Sequence, residues 1–305
     1  MAATTSPPAT GRFRLTRGRA AALVIGVPVC LALIASTGLN LVAELGEGHY
    51  PVNFTIPAGT KSLNLTMAGG QVAIRQTAAS QATLSGTARY SLVRSKLTER
   101  TTGSGTTVAY RCAIPFGDCE LDATVSVPAA LPVTANTDGG NASVSGTTGP
   151  VILSSGGGNI AADHTAGPLR LSTSGGNIQA NAITSATLTA SSGGGDINAA
   201  TVSSHAFSAT TSGGNIAATG LSAATVAASS GGGNIEIDFA SVPQGVQVDT
   251  SGGNITLVLP PGHTRYHVAA HTDGGEVTDS LLQDTTSKNV ITATSGGGNI
   301  TIRQA

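Results

Sequence analysis

Three histidines, His263, His267 and His271, recur at every fourth position. On a helix that spacing would put them on one face as candidate metal ligands. The surrounding residues favour a strand instead: Pro260, Pro261 and Gly262 come first, and Val268, Ala270 and Thr272 then alternate with outward positions. In a strand His267 and His271 stand ~13 Å apart, too far to share one ion. Glu236 and Asp238 are a carboxylate pair with a spacing that general acid–base chemistry could use. Both take outward strand positions or lie near a turn, where solvation accounts for them.

The glycine clusters do not make a phosphate loop, because GGGNI lacks the following Lys-Ser/Thr and opens no helix. They also depart from calcium-binding nonapeptides, which need Asp regularly after the glycines. From residue 135 onward four bases stand against ten acids, a net charge of −6, which argues against a nucleic-acid partner. No catalytic residue, metal ligand or cofactor site is assigned. The sequons at Asn53, Asn64, Asn141, Asn254 and Asn299 are not expected to be glycosylated, since three of them are repeat corners. Cys112 and Cys119 close the short segment RCAIPFGDC. Outside a membrane they are expected to form a disulfide contributing ~2.5 kcal/mol. Two free thiols or half a metal site are the competing readings, although no second Cys or His pair lies nearby to complete a tetrahedral set.

The elements that carry these residues are set by a repeat. TDGGNA, SGGGNI, TSGGNI, SGGGDI, TSGGNI, SGGGNI, TSGGNI, TDGGEV and SGGGNI follow one another along the chain. The residue after the last glycine of each, here called the marker, is Asn141, Asn159, Asn177, Asp196, Asn215, Asn234, Asn254, Glu276 and Asn299, at spacings of 18, 18, 19, 19, 19, 20, 22 and 23. So regular a period denotes one unit stacked on copies of itself. Aliphatic residues hold positions −8 and −6 before the marker and +1 and +3 after it, as in Leu169, Leu171, Ile178 and Ala180. Alternation is the strand period, and the change of parity across the glycines requires a corner, which glycine permits through positive φ.

Each unit is thus expected to be one coil of an all-β, single-stranded β-solenoid (β-helix) with coils of about 19 residues. Position −4 is always Ser or Thr, and with the marker Asn it is expected to form columns of hydrogen bonds ~4.8 Å apart. The markers Asn141, Asn159, Asn177, Asp196, Asn215, Asn234, Asn254 and Asn299 are read as structural corners, where Asn tolerates the left-handed conformation and satisfies corner backbone groups. Units also alternate between Ser-Gly-Gly-Gly and Thr-Ser-Gly-Gly. Either neighbouring coils interlock a larger residue against a smaller one, or two units make one turn.

With no Trp, 3% aromatic and 10% charged residues, such a shaft must be narrow and filled by Ala, Val, Ile and Leu. The 41 glycines would suit disorder, but the aliphatic phase opposes it. Leu63, Leu65, Met67, Gly69, Gly70, Val72 and Ile74 fit the same template, so an early coil precedes residues 75–130, a β-rich insertion or cap over one end of the stack. Residues 44–62 are read as linker and first strand, and 63–305 as the solenoid.

Residues 1–19 form a basic tail. Residues 20–43 carry no charge and would reach ~36 Å as a helix, enough to span a membrane. Arginines before the stretch and Glu44 and Glu47 after it place the N-terminus in the cytoplasm and the rest outside, as a single-pass plasma-membrane protein. A cleaved signal peptide competes with this anchor, but no clean A-x-A site follows the apolar run.

The N-terminal anchor, the early Gly-Gly corner, TVSVP ending at Pro128, the SGGGNI and SGGGDI repeats, and ITLVLPPG followed by RYHVAAHTDGGEV together resemble the bacterial putative adhesin family, the domain of unknown function 4097 group. The resemblance covers about residues 50–305. It implies a β-solenoid and an adhesive or envelope role, and supplies no catalytic residues. Markers here are mostly Asn where the family often has Asp, which weakens any cation-binding reading. The expected function is a non-enzymatic, adhesin-like structural module of the cell envelope, with cell-wall glycan, a surface protein or a second copy of itself as partner. A carbohydrate-active β-helix enzyme and an envelope-stress sensor are the alternatives.

Overall fold

The computed structural model describes residues 47–103, 105–114 and 119–305, all strand, turn and loop. The expected basic tail and the anchor at 20–43 lie outside them. Among the described residues no helix is long and apolar enough to cross a membrane.

Each repeat contributes one strand before its glycine corner and one after, and each strand pairs in parallel with its equivalent one repeat away. Val151–Ser155 lies between Val133–Thr137 and Leu169–Thr173, which sets Leu153 level with Ala135 and Leu171. Ile160–Asp163 lies likewise between Ala142–Ser145 and the start of Ile178–Ser192. One repeat is therefore one coil, and two units per turn is excluded. In mid-stack the strands Ile178–Ser192, Ile197–Thr211 and Ile216–Ser230 run unbroken from one glycine corner to the next. Their central residues Ile183, Val202 and Leu221 add another buried row. The expected −8, −6, +1 and +3 positions line the shaft: Leu188, Ala190, Ile197 and Ala199 are all at most 4% exposed.

The expected cause of the corner is corrected. Gly70, at the corner of the first coil, does have positive φ (88°), but from Gly139 onward no corner glycine or marker residue lies in the left-handed region. What glycine supplies is room. A Cβ on the glycine before the marker would run into the carbonyl of the equivalent glycine one coil away, as for Gly158 against Gly140 and Gly176 against Gly158. Positive φ occurs instead at a second corner five residues after the marker: Gly146 (75°), His164 (50°), Ala182 (51°), Thr201 (54°) and Gly220 (65°). For the β-branched Thr201 this conformation costs about 1–2 kcal/mol, and the stack holds it there.

At both ends chain order and spatial order differ. The first coil, Leu63–Met67 and Val72–Thr77, is sandwiched between the 133–145 coil and an outer coil made by Gly105–Arg111 and Cys119–Pro128. Antiparallel strands then close that end: Thr83–Ser91 on Cys119–Pro128, Glu47–Thr55 on Thr83–Ser91, and Lys96–Thr102 on Gly105–Arg111. At the opposite end the last strands of the chain, Val290–Ser295 and Ile300–Gln304, insert between the Asn254 coil and the Glu276 coil. The Glu276 coil is thus outermost although it is not last in sequence. Buried Tyr110 and Tyr266 belong to the outer coils at the two ends.

This order explains the alternation of corner residues. In space Thr137-Asp138, Ser155-Gly156, Thr173-Ser174, Ser192-Gly193, Thr211-Ser212, Ser230-Gly231, Thr250-Ser251, Ser295-Gly296 and Thr272-Asp273 alternate without a break, whereas in sequence two Thr units adjoin. The interlocking reading holds. The Gly at position −3 in every second coil packs against the backbone carbonyl of the larger residue next to it, as Gly193 does on Ser174 and Gly231 on Ser212.

Candidate interaction surfaces

The expected columns exist, but they run from side chain to backbone. Each −4 hydroxyl accepts from the N–H of its own corner glycine, and every one after Thr137 also donates to the glycine carbonyl of the adjacent coil. Ser192 Oγ accepts from Gly195 N at 2.9 Å and donates to Gly176 O at 2.8 Å. Thr211 Oγ1 makes the equivalent bonds to Gly214 N at 3.1 Å and Gly195 O at 2.9 Å. A buried hydroxyl satisfied on both sides answers why the position is never Ala.

The marker column works in the same way. Asn141 Oδ1 accepts from Asn159 N, Asn159 Oδ1 from Asn177 N, and Asn177 Oδ1 from Asp196 N, each at 2.8 Å. Asp196 Oδ1 accepts from Asn215 N at 2.7 Å and from Asn215 Nδ2 at 3.3 Å. The column continues through Asn215, Asn234 and Asn254 at 2.8 Å. It then passes to Asn299 at 2.8 Å and ends on Glu276 N at 2.9 Å, following the spatial order. At the far end Asp122 Oδ1 accepts from Gln71 N at 3.0 Å. The side-chain oxygens are used inside the column, while the Asn residues remain solvent-exposed along one ridge.

The groups that could do chemistry stay dispersed. His263 and His271 are exposed and His267 is half-buried, and His271 Nε2 shares a 3.0 Å hydrogen bond with Asp273 Oδ1. Among the described residues no group of three His, Cys, Asp or Glu side chains could hold a metal ion. Glu236 and Asp238 are exposed on Ile235–Phe239, flanked in the sheet by Ala217, Thr256 and Val258, none of which is a titratable group. An open cleft of about 620 Å³ lies beside the first glycine corners. The one cation among the described residues that line it, Arg89, is occupied by Glu120 at 3.4 Å and Asp122 at 3.5 Å.

Cys112 and Cys119 are joined in a disulfide with Cα atoms 5.6 Å apart, tying the two strands of the outer cap coil. Burial raises the hydroxyl pKa of both Tyr110 and Tyr266 above the usual phenol value. Hydrogen bonds from the Thr286 hydroxyl and backbone hold Asp284 below the ordinary carboxylate value.

The outermost Glu276 coil is built differently from the others. Where inner coils carry an aliphatic residue at +3, it has Asp279, paired with Ile302, and where all but one of them carry a marker Asn, the exception being Asp196, it has Glu276. Asp279 and Glu276 are exposed there, and so is Val277 at 40%. A further coil laid on this end would bury one carboxylate and oppose another.

Solved structures match the chain at low identity. A putative adhesin from Bacteroides fragilis is 15% identical, with 85% of this chain and 97% of that one covered and a TM-score of 0.46. A putative lipid binding protein from Parabacteroides distasonis is 14% identical over 85% and 97%, with a TM-score of 0.48. A putative adhesin from the same species is 11% identical over 85% and 97%, with a TM-score of 0.43. No curated protein matches the sequence. The family model described as Toastrack DUF4097 matches residues 60–303, from the first coil to the last, and the chain belongs to that family.

Proposed function

We propose that the chain is a single-pass membrane protein whose external β-solenoid serves as a non-enzymatic, adhesin-like interaction module of the bacterial cell envelope. The observation that carries this reading is how the polar repeat residues are used. Ser, Thr and Asn side chains are consumed in holding coil to coil, which makes a stiff rod with an exposed amide ridge, while acids and histidines do not converge. A surface that repeats every ~4.8 Å suits a partner that also repeats, such as cell-wall glycan. The family resemblance and the 24-residue uncharged stretch at 20–43 support the envelope location.

The test is co-sedimentation of the detergent-solubilised full chain with purified cell-wall glycan, with released soluble saccharide measured in parallel. Retention without release is expected. Release of saccharide that disappears in Glu236→Gln or Asp238→Asn would establish the enzyme reading in its place.

A further inference from the structure

We infer that the turn formed by Leu92 and Val93 is a membrane-contacting tip, inserting between lipid headgroups beside the point where the chain leaves its anchor. The inference rests on the anchored reading above and adds to it an orientation for the solenoid, cap end down.

The turn is unusual on its own terms. Leu92 has φ of 62°, and Val93 N donates to Ser91 O at 2.7 Å, a three-residue γ-turn that is rare and strained for a residue with a Cβ. Strain of this kind persists only where the surroundings hold it, and here they do. Tyr50 Oη donates to Ser95 O at 2.6 Å, Ser95 is 3% exposed, and the Arg94 guanidinium lies 3.7 Å from the Tyr50 ring centroid. The fixed base displays two aliphatic side chains to solvent, Leu92 at 42% and Val93 at 47% exposed. Val93 is the most exposed large aliphatic residue among the described residues; Ile152, Val242, Val277, Leu282 and Val290 are exposed as well, none of them beside a second such residue in sequence.

The position gives these side chains an occupant. Glu47, the first described residue, is the cross-strand partner of Ser91, and the uncharged stretch ends at Ala43. Whatever path residues 44–46 take, Glu47 lies within ~14 Å of Ala43. Glu47–Thr55 runs away from that point and Thr83–Ser91 returns antiparallel, so Leu92 and Val93 project past Glu47 on the side from which the anchor enters. Arg94 follows in the turn, and Lys96 and Arg111 face each other as the first pair of the adjoining antiparallel strands. Two aliphatic side chains followed in the chain by Arg94 and Lys96, with Arg111 across the strand pair from Lys96 and Glu47 the nearest acid in the register among the described residues, match the boundary between acyl chains and anionic headgroups.

The sequence contains no Trp, so Val93→Trp supplies a single fluorescent reporter. The full-length variant is reconstituted into vesicles of phosphatidylcholine with phosphatidylglycerol, with and without brominated acyl chains, and membrane integration is scored separately by resistance to alkaline carbonate. Val242→Trp, at a site 41% exposed on the solenoid wall, is the matched control. The expected result is integration of both variants, with blue-shifted emission at position 93 that loses most of its intensity to bromine and emission at 242 that does not. Adding Arg94→Gln and Lys96→Gln should reduce the quenching at 93. Integration with equal, weak quenching at 93 and 242 overturns the tip and leaves the anchor standing. Extraction by carbonate overturns both.

Discussion

Replacing Gly195 by Ala tests whether the corner glycines are selected by the approach of neighbouring coils. A Cβ at Gly195 would sit 2.5 Å from the carbonyl carbon of Gly176 and 2.7 Å from Asn177 Oδ1. Both belong to the next coil; the first is backbone, and the second is a side-chain oxygen held in place by its bond from Asp196 N. Relief requires the coils to part by about an ångström, given the normal limits of carbon contacts. That movement stretches the bond from Ser192 Oγ to Gly176 O and the bond from Asp196 N to Asn177 Oδ1, both 2.8 Å. Overpacking costs about 1–3 kcal/mol and the two weakened bonds about 1 kcal/mol each, so a loss of about 3–5 kcal/mol is expected. In a domain of this size the melting temperature falls by on the order of 10 °C. At Gly194, its neighbour, an added methyl group would meet nothing within 4 Å, and the backbone there is not left-handed. Gly194→Ala should therefore be neutral or stabilising by up to ~1 kcal/mol. Denaturant and thermal unfolding of the two single variants decide the matter. Equal losses, or a tolerated Gly195→Ala, would refute the steric argument.

Three further expectations concern the second corner and the two ends. Gly220→Thr should cost about 1–2 kcal/mol and Thr201→Gly should cost nothing or stabilise, because both positions have φ above 50°; paired unfolding curves measure the asymmetry. Tyr110 and Tyr266 have raised folded-state pKa values because burial disfavours the phenolate. The stability they carry is complete below the unfolded value of ~10 and is lost as pH rises through the folded values. Ultraviolet phenolate titration should find two of the four tyrosines ionising late and together with loss of structure at the ends. Glu276→Asn combined with Asp279→Ile should convert the outermost coil to the pattern of an inner one and promote end-to-end association in light scattering, and a double variant that stays as dispersed as the parent would count against electrostatic end protection.

Much of the fold was legible because alternation and a fixed period constrain each other. Leu169, Leu171, Ile178 and Ala180 keep their phase to the glycines in sequence and all point inward in the structure. Less legible was the reason for each glycine, since the sequence records that a Cβ is forbidden at Gly158 or Gly195 without saying whether φ or a neighbouring carbonyl forbids it. The second corner went unread because Gly146, His164, Ala182, Thr201 and Gly220 share a backbone conformation but no side-chain type. Side-chain columns were anticipated, as was the marker amide's service to corner backbone groups; that the hydroxyls bond glycine backbone rather than one another was not, a choice that depends on relative height in the stack. The exchange of the last two coils did leave a trace, because Thr250 and Thr272 in succession break an alternation that Ser295 restores when placed between them. The cap tip left a weaker one, since LVRSK is unremarkable until the register sets Ser91 against Glu47.

The order of coils at the C-terminal end is the most demanding test of the stacking account. Thr292 is the cross-strand neighbour of Gln247 on one side and of Ala269 on the other, so Gln247 and Ala269 stand two coils apart, ~10 Å. Cysteine pairs placed at these outward positions in the full chain, oxidised and mapped by mass spectrometry, read that order directly, since a bridge needs Cα atoms within about 7 Å. Rapid bridging of 247 with 292 and of 269 with 292, and none of 247 with 269, is the predicted result. Efficient bridging of 247 with 269 would mean that the coils follow the order of the sequence, and would contradict the account.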